Sequence, residues 1–135
     1  MEKPFRYDNV VPFEELVGKT LTKVVHETNE WKEDRILFVT QEGQRYEQSL
    51  NQDCSESVNV EDICGHLEDL IGTPILMAEE SAHEGWGGGE GSDTWTFYKL
   101  GTVKGYVTIR WYGTSNGYYS EKADFRKELR LVDLD

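Results

Sequence analysis

One arginine near the end of the chain lies among aromatic and hydroxyl-bearing residues. Strand-like alternation over residues 106–112 separates an apolar set from a polar and aromatic set. The apolar set, which we expect to face the core, is Val107, Ile109 and Trp111. The opposite face carries Tyr106, Thr108, Arg110 and Tyr112, and the following turn adds Ser115, Asn116, Tyr118 and Tyr119.

These residue types could recognise a nucleotide. Aromatic rings stack on a base, and a guanidinium offers a fork of donors to phosphate. We therefore predict that Arg110 and its neighbours bind a small, nucleotide-like anionic ligand. The alternative is an ordinary solvated sheet face followed by an Asn-Gly turn.

A glycine-rich segment, residues 81–93, surrounds one tryptophan, Trp86. The segment does not resemble a phosphate-binding turn, because no Lys follows the glycines and they precede a strand rather than a helix. We predict a flexible loop in which Trp86 closes over the bound ligand. Packing of Trp86 on its own or a neighbouring subunit is the alternative.

A secondary polar cluster comprises Gln52, Asp53, Cys54 and Glu56. Carboxylates and thiols can bind metal ions, but no C-x-x-C pair and no H-E-x-x-H occurs. No Gly-x-Ser-x-Gly motif is present either. We expect no cofactor, no metal and no catalytic residue. A metal-dependent hydrolase that uses Asp53 and Glu56 stays open as an alternative function.

The middle third of the chain holds all of its excess charge. Between Glu47 and Asp93 there are twelve Asp and Glu residues and no Lys or Arg. Residues 1–46 contribute a charge of −2 and residues 94–135 a charge of +2, so the middle third accounts for the net −12. A segment with this much negative charge repels polyanions and attracts basic partners. Direct nucleic-acid binding is therefore not expected, and an acidic module that mimics nucleic acid to inhibit a basic host protein is the rival function.

The length and composition of the chain favour one small domain. A chain of 135 residues, 37% of them hydrophobic, can build a single core. No apolar run approaches the ~20 residues of a membrane span, and the first residues lack the apolar core of a signal peptide. We expect a cytoplasmic protein whose cysteines, Cys54 and Cys64, remain thiols. The four Trp and seven Tyr residues leave room for rings buried between copies in a homo-oligomer.

The local patterns predict an α+β fold. Residues 1–12 read as an extended arm, residues 13–18 as one helical turn and residues 20–47 as an antiparallel meander. Ile63, Leu67, Leu70 and Ile71 share a helical face, which predicts a compact helix over residues 61–71. Residues 74–79 read as a buried strand, and residues 94–112 as a hairpin. The expected architecture is an antiparallel sheet of about six strands with one or two short helices packed on one face.

Four strings of the sequence are distinctive: Gln52-Asp53-Cys54, Pro74-Ile75-Leu76-Met77-Ala78-Glu79-Glu80, Thr94-Trp95-Thr96-Phe97-Tyr98-Lys99 and Lys104-Gly105-Tyr106-Val107-Thr108-Ile109-Arg110-Trp111-Tyr112-Gly113. With these strings the chain resembles a family of small uncharacterised proteins common in bacteriophage genomes, classed as a domain of unknown function. The resemblance covers about residues 16–125. It implies a non-enzymatic accessory protein of a phage, acting in the host cytoplasm, and by analogy with other such proteins a role in countering host defence by sequestering a ligand.

Overall fold

The computed structural model describes residues 6–28, 30, 33–49, 57–86, 92–115 and 124–129. These residues form nine strands and two short 3-10 helices, with no α-helix among them. The strands are β1 (Arg6–Val10), β2 (Leu21–Thr28), β3 (Asp34–Thr40), β4 (Arg45–Ser49), β5 (Ser57–Cys64), β6 (Met77–Trp86), β7 (Ser92–Thr102), β8 (Gly105–Ser115) and β9 (Asp124–Leu129). The 3-10 helices are Phe13–Leu16 and Leu67–Leu70. Among these described residues, no helix is long and apolar enough to cross a membrane.

The strands form two antiparallel sheets, so the predicted α+β class is wrong. One sheet has the order β1-β9-β4-β3-β2 and the other the order β5-β8-β7-β6. The described part of the chain is therefore nearly all β, with more strands than the six expected. The antiparallel pairing itself is confirmed throughout both sheets.

The helix predicted over residues 61–71 is replaced by the end of β5 and a single 3-10 turn. β5 obtains its backbone hydrogen bonds from β8, a strand almost fifty positions further along the chain. At Gly65 the backbone takes a φ of +100°, and a Cβ there would lie 2.5 Å from the carbonyl oxygen of Tyr106. A φ of this sign lies outside the right-handed helix, so no helix continues through Gly65. Ile63, Leu67 and Ile71 still pack against the core, so the residues were identified correctly and their local structure was not.

Two predicted features are confirmed, and the bounds of a third strand and of the loop after it were predicted wrongly. β2, β3 and β4 form the expected meander, and β7 with β8 forms the expected hairpin. The strand predicted at residues 74–79 begins at Met77 and runs to Trp86, well into the segment 81–93 that was predicted to be a loop. What is left of that loop, residues 87–91, lies outside the described residues. Because β6 is longer than predicted, residues 81–86 belong to an edge strand of the second sheet.

One hydrophobic core lies between the two sheets. From the first sheet it takes Leu21, Val24, Ile36, Phe38, Tyr46 and Phe125, and from the second Ala78, Tyr98, Leu100, Val107, Ile109 and Trp111. The indole nitrogen of Trp111 donates a hydrogen bond of 3.1 Å to Oε1 of Gln48 across the interface. This contact joins β8 to β4, and thus one sheet to the other. It also fixes which face of β8 is turned inward.

Candidate functional site

The side of the second sheet that faces away from the core is the candidate site, and we call it the outer face. In β8 the predicted apolar set, Val107, Ile109 and Trp111, is fully buried. By alternation, Arg110 and Tyr112 lie on the opposite side, where both are partly exposed. The prediction that these two side chains share a face turned away from the core is therefore confirmed.

Cross-strand pairing arranges the outer face in rows. The first, which we call the aromatic row, runs from β6 to β5 through His83, Trp95, Tyr112 and Asn59. The ring centroids of Trp95 and Tyr112 are 4.9 Å apart, with the planes tilted by 46°. Trp95 and Tyr112 are half-buried and His83 is exposed. The rings of this row are thus partly accessible on one side of the sheet.

The next row, the arginine row, contains Ser81, Phe97, Arg110 and Asp62 in the same strand order. Phe97 and Arg110 are directly opposed, so their Cβ atoms lie about 5 Å apart. The edge of Phe97 also meets the ring of His83, with centroids 5.6 Å apart and planes at 77°. A cation and a ring therefore lie side by side, next to the aromatic row.

Arg110 is paired with a carboxylate. Its Nε lies 2.8 Å from Oε1 of Glu61, and both side chains are 40% exposed. Glu61 is the extra residue at an irregularity of β5 between Val60 and Asp62. Among the residues that the structure describes, this Nε group has no hydrogen-bond partner, which means that the two groups attract each other by charge without an aligned donor. The guanidinium predicted to be available for phosphate is therefore shared with Glu61, and an anion would have to compete for it.

The third row, the lysine row, contains Glu79, Lys99, Thr108 and Cys64. The ammonium of Lys99 lies over the ring of Tyr106, 5.1 Å from its centroid. The thiol of Cys64 donates a hydrogen bond of 3.3 Å to Asp62, and this bond, with the charge of the carboxylate, raises the pKa of Cys64. A thiol in this state is a weak nucleophile.

The charges of the outer face nearly balance. Counting only residues whose side chains the structure describes, the cations are Arg110 and Lys99, and the anions are Glu61, Asp62 and Glu79. The face is thus much less negative than the acidic middle third as a whole. Charges more than about 8–10 Å away are largely screened at physiological ionic strength. Binding of a small anion here would depend on ring contacts first and on charge second.

Five further residues of the predicted ligand site end the strands of this sheet or follow them. Ser115 ends β8 and Trp86 ends β6, and the backbones of both are in register with Ser92 of β7. The ends of the two strands that carry them are therefore neighbours across β7. Asn116, Tyr118 and Tyr119 lie outside the described residues, and their part in the site stays a prediction.

The secondary polar cluster also lies outside the described residues, since Gln52, Asp53, Cys54 and Glu56 all fall between β4 and β5. Within the described residues, no group of three or more His, Cys, Asp or Glu side chains could hold a metal ion. The described residues His66, Glu79, Glu80 and His83 are likewise not gathered into such a group.

Comparison with protein families identifies the chain at the level of a domain. A family model described as a domain of unknown function, DUF7448, matches residues 14–125. The chain belongs to the DUF7448 family. The match confirms the resemblance to an uncharacterised family and includes every residue of the outer face. The comparisons with curated proteins and with solved structures each found no match.

Sequence reasoning missed four outer-face residues of this DUF7448 domain: His83, Trp95, Phe97 and Lys99. The last three follow from the same alternation that was applied to β8. In β7, Thr94, Thr96, Tyr98 and Leu100 are buried, so the residues between them face outward. Because the whole string from Thr94 to Leu100 is rich in apolar and β-branched residues, its two faces look alike in the sequence. His83 could not be placed because residues 81–93 were predicted to be a loop.

Proposed function

We propose that this protein captures a small, ring-containing, anionic ligand on its outer face and catalyses no reaction on it. The observation that carries the proposal is the pair of adjacent rows in which Trp95, Tyr112 and His83 lie beside Phe97 and Arg110. Aromatic side chains on an open sheet face stack on bases, with about 1–3 kcal/mol per base. A nucleotide-like ligand would use these rings for its base and Arg110 for its phosphate.

The ion pair between Arg110 and Glu61 limits how much charge can contribute to ligand binding. An anion must displace Glu61 from Arg110 or share the guanidinium with it, which reduces the gain from charge. Since the pair is 40% exposed and lacks an aligned Nε–H bond, little energy holds it in place. We therefore expect affinity that depends mainly on stacking and only weakly on salt.

The resemblance to bacteriophage proteins suggests the biological setting of this proposal. A binding protein of a phage that acts in the cytoplasm of its bacterial host would lower the concentration of a nucleotide signal used in defence. The near balance of charge on the outer face, in a chain of net charge −12, is compatible with access of such an anion. The setting rests on analogy between family members.

Ligand capture can be tested by thermal shift and calorimetry. The probes are nucleoside mono-, di- and triphosphates, cyclic mono- and dinucleotides, and inorganic phosphate as the ring-free comparison. We expect stabilisation by at least one ring-containing anion and none by phosphate. Trp95→Ala should reduce its affinity about tenfold or more, which corresponds to loss of one stacked base.

Two further variants make the test specific. Tyr106→Ala removes a ring from the same face of β8, about 13 Å from Arg110, and should bind as the wild type does. Glu61→Gln should tighten binding of the anionic probe, because it releases Arg110. The proposal fails if no probe stabilises the protein, or if Trp95→Ala binds the probe as tightly as Tyr106→Ala.

A second candidate function is association with a basic host protein through the acidic middle third. Exposed Glu61, Asp62, Glu68 and Glu79 favour it, as does the neutralisation of Arg110 by one of them. Such association should weaken steeply as salt is raised, whereas stacking should not. A pull-down from host extract at two ionic strengths separates the two functions.

A further inference from the structure

Among the described strands, β6 lies at one edge of its sheet and offers an unpaired outer side. Each of its ten residues is in register with β7 on one side, and no described strand pairs with it on the other. In such a strand alternate residues direct their N–H and C=O groups away from the sheet. These groups can form a ladder with another strand.

The other three edge strands of the described sheets are interrupted, and β6 is not. Register shifts occur in β1 between Arg6 and Asn9, in β2 between Leu21 and Lys23, and in β5 between Val60 and Asp62. Irregularities of this kind keep a strand edge from pairing with other chains. The pairing of β6 continues from Met77 to Trp86 without a shift, and the strand contains no Pro, Lys or Arg.

The middle of β6 is open on both sides of the sheet. Ser81 and His83 belong to the outer face, whereas Ala82 belongs to the side that packs on the core nearer the start of the strand. All three are nevertheless exposed. The strand therefore extends past the core there, and the small side chains of Ser81 and Ala82 leave room for a neighbouring backbone.

From this edge we infer that two copies of the chain pair through β6, antiparallel to each other, about a two-fold axis at Ser81. Each four-stranded sheet would continue into the other and give one sheet of eight strands. The occupant is thus a second copy of the chain, since an antiparallel edge pairs with itself by symmetry.

Charge selects the register of this pairing. With Ser81 opposite Ser81, Glu79 faces His83 of the second copy and Glu80 faces Ala82 of the second copy. The smallest shift that keeps the two outer faces on the same side changes the pairing by two residues. It would bring Glu80 opposite either Glu80 or Glu84 of the second copy, and like charges in direct opposition are destabilising. The Ser81 register avoids both contacts.

The pairing would also unite the two outer faces. Each arginine row ends at Ser81, so Phe97 and Ser81 of one copy would continue into Ser81 and Phe97 of the other. The aromatic row of one copy would reach Glu79 and Lys99 of the second copy beyond His83. The dimer rests on the strand edge alone and does not require the proposed ligand.

Sedimentation velocity over a range of protein concentrations, without any ligand, tests the pairing. We expect a dimer for the wild type. Ser81→Glu sets two carboxylates face to face and should raise the dimer dissociation constant at least about tenfold. Thr22→Glu makes a matched change at an exposed position of β2, an edge of the other sheet, and should leave the dimer intact. Circular dichroism checks that both variants are folded.

Disulfide trapping tests the register. In a background with Cys54→Ser and Cys64→Ser, Ser81→Cys should form a covalent dimer on oxidation, because opposed residues have Cα atoms about 4.5–5.5 Å apart. His83→Cys faces Glu79 rather than itself and should not. A monomeric wild type, a dimer that Ser81→Glu leaves unchanged, or equal trapping at both positions would each overturn the inference. Since ligand binding is measured separately, failure of the dimer and failure of the proposed function can be told apart.

Discussion

The two faces of the second sheet carry similar aromatic side chains in opposite surroundings. On the inner face Tyr98 and Trp111 are fully enclosed between the sheets. On the outer face Trp95, Phe97 and Tyr112 are half-buried, and they come from the same two strands. Inner rings are accounted for by the fold, because they fill the core. Outer rings add little to the core, which is why we propose a ligand for them.

The largest expected effect is a loss of stability when a ring of the inner face is removed. Trp111→Ala should lower the free energy of unfolding by about 3–5 kcal/mol, since it opens a cavity and leaves the carbonyl of Gln48 without a donor. Guanidinium denaturation measures the loss. If the variant does not fold, Trp111→Phe keeps most of the volume and should still cost about 1–3 kcal/mol. Stability close to that of the wild type in both variants would contradict the assignment of Trp111 to the core.

An outer-face ring should matter far less to the fold. Phe97→Ala removes a half-buried ring and its edge contact with His83, so the expected loss of unfolding free energy is about 1 kcal/mol. The same denaturation experiment measures it. A loss as large as that of Trp111→Ala would mean that the outer face is covered in the folded protein, and the contrast between the faces would disappear.

The ion pair on the outer face should contribute less still. Arg110 and Glu61 are each 40% exposed, so a double-mutant cycle with Arg110→Ala and Glu61→Gln should give a coupling energy below about 1 kcal/mol. The coupling should fall as salt is added. A larger, salt-independent coupling would show that the pair stabilises the fold and is not available to a ligand.

The smallest effect concerns the thiol in the lysine row. The hydrogen bond to Asp62 raises the pKa of Cys64, so Asp62→Asn should lower that pKa and increase the thiolate fraction at pH 8. We expect alkylation by iodoacetamide to become about two- to fivefold faster. A Cys54→Ser background makes Cys64 the reporting thiol, and Glu68→Gln serves as the control. An unchanged rate would mean that Asp62 does not hold the thiol proton.

Much of the second sheet could be predicted from the sequence. Alternation in β8 correctly separated Val107, Ile109 and Trp111 from Arg110 and Tyr112, because each β-strand alternates its side chains whatever its partners are. The hairpin of β7 and β8 was also found, since its turn and both strands are adjacent in the chain. Local rules succeeded where the deciding contacts were local.

Most of the predictions that failed depended on distant contacts. Ile63, Leu67 and Ile71 have the spacing of a helix, but pairing of β5 with β8 outweighs that preference. The loop predicted over residues 81–93 failed for another reason: β7, the next strand along the chain, gives each of residues 81–86 a partner, whereas the glycines from 85 onward suggested that the strand ended earlier. The ion pair of Arg110 with Glu61 joins residues that a strand-by-strand reading treats separately.

The sequence alone determined the excess of acidic charge, the strand character of residues 94–112 and the membership of Arg110 and Tyr112 in one polar face. Tertiary structure decided the number of sheets, the ion-pair partner of Arg110 and the open edge of β6. The physical reason is the range of the interactions. Charge and side-chain alternation are properties of short segments, whereas sheet order and the partner of a cation are set by strands that meet only when the whole chain folds.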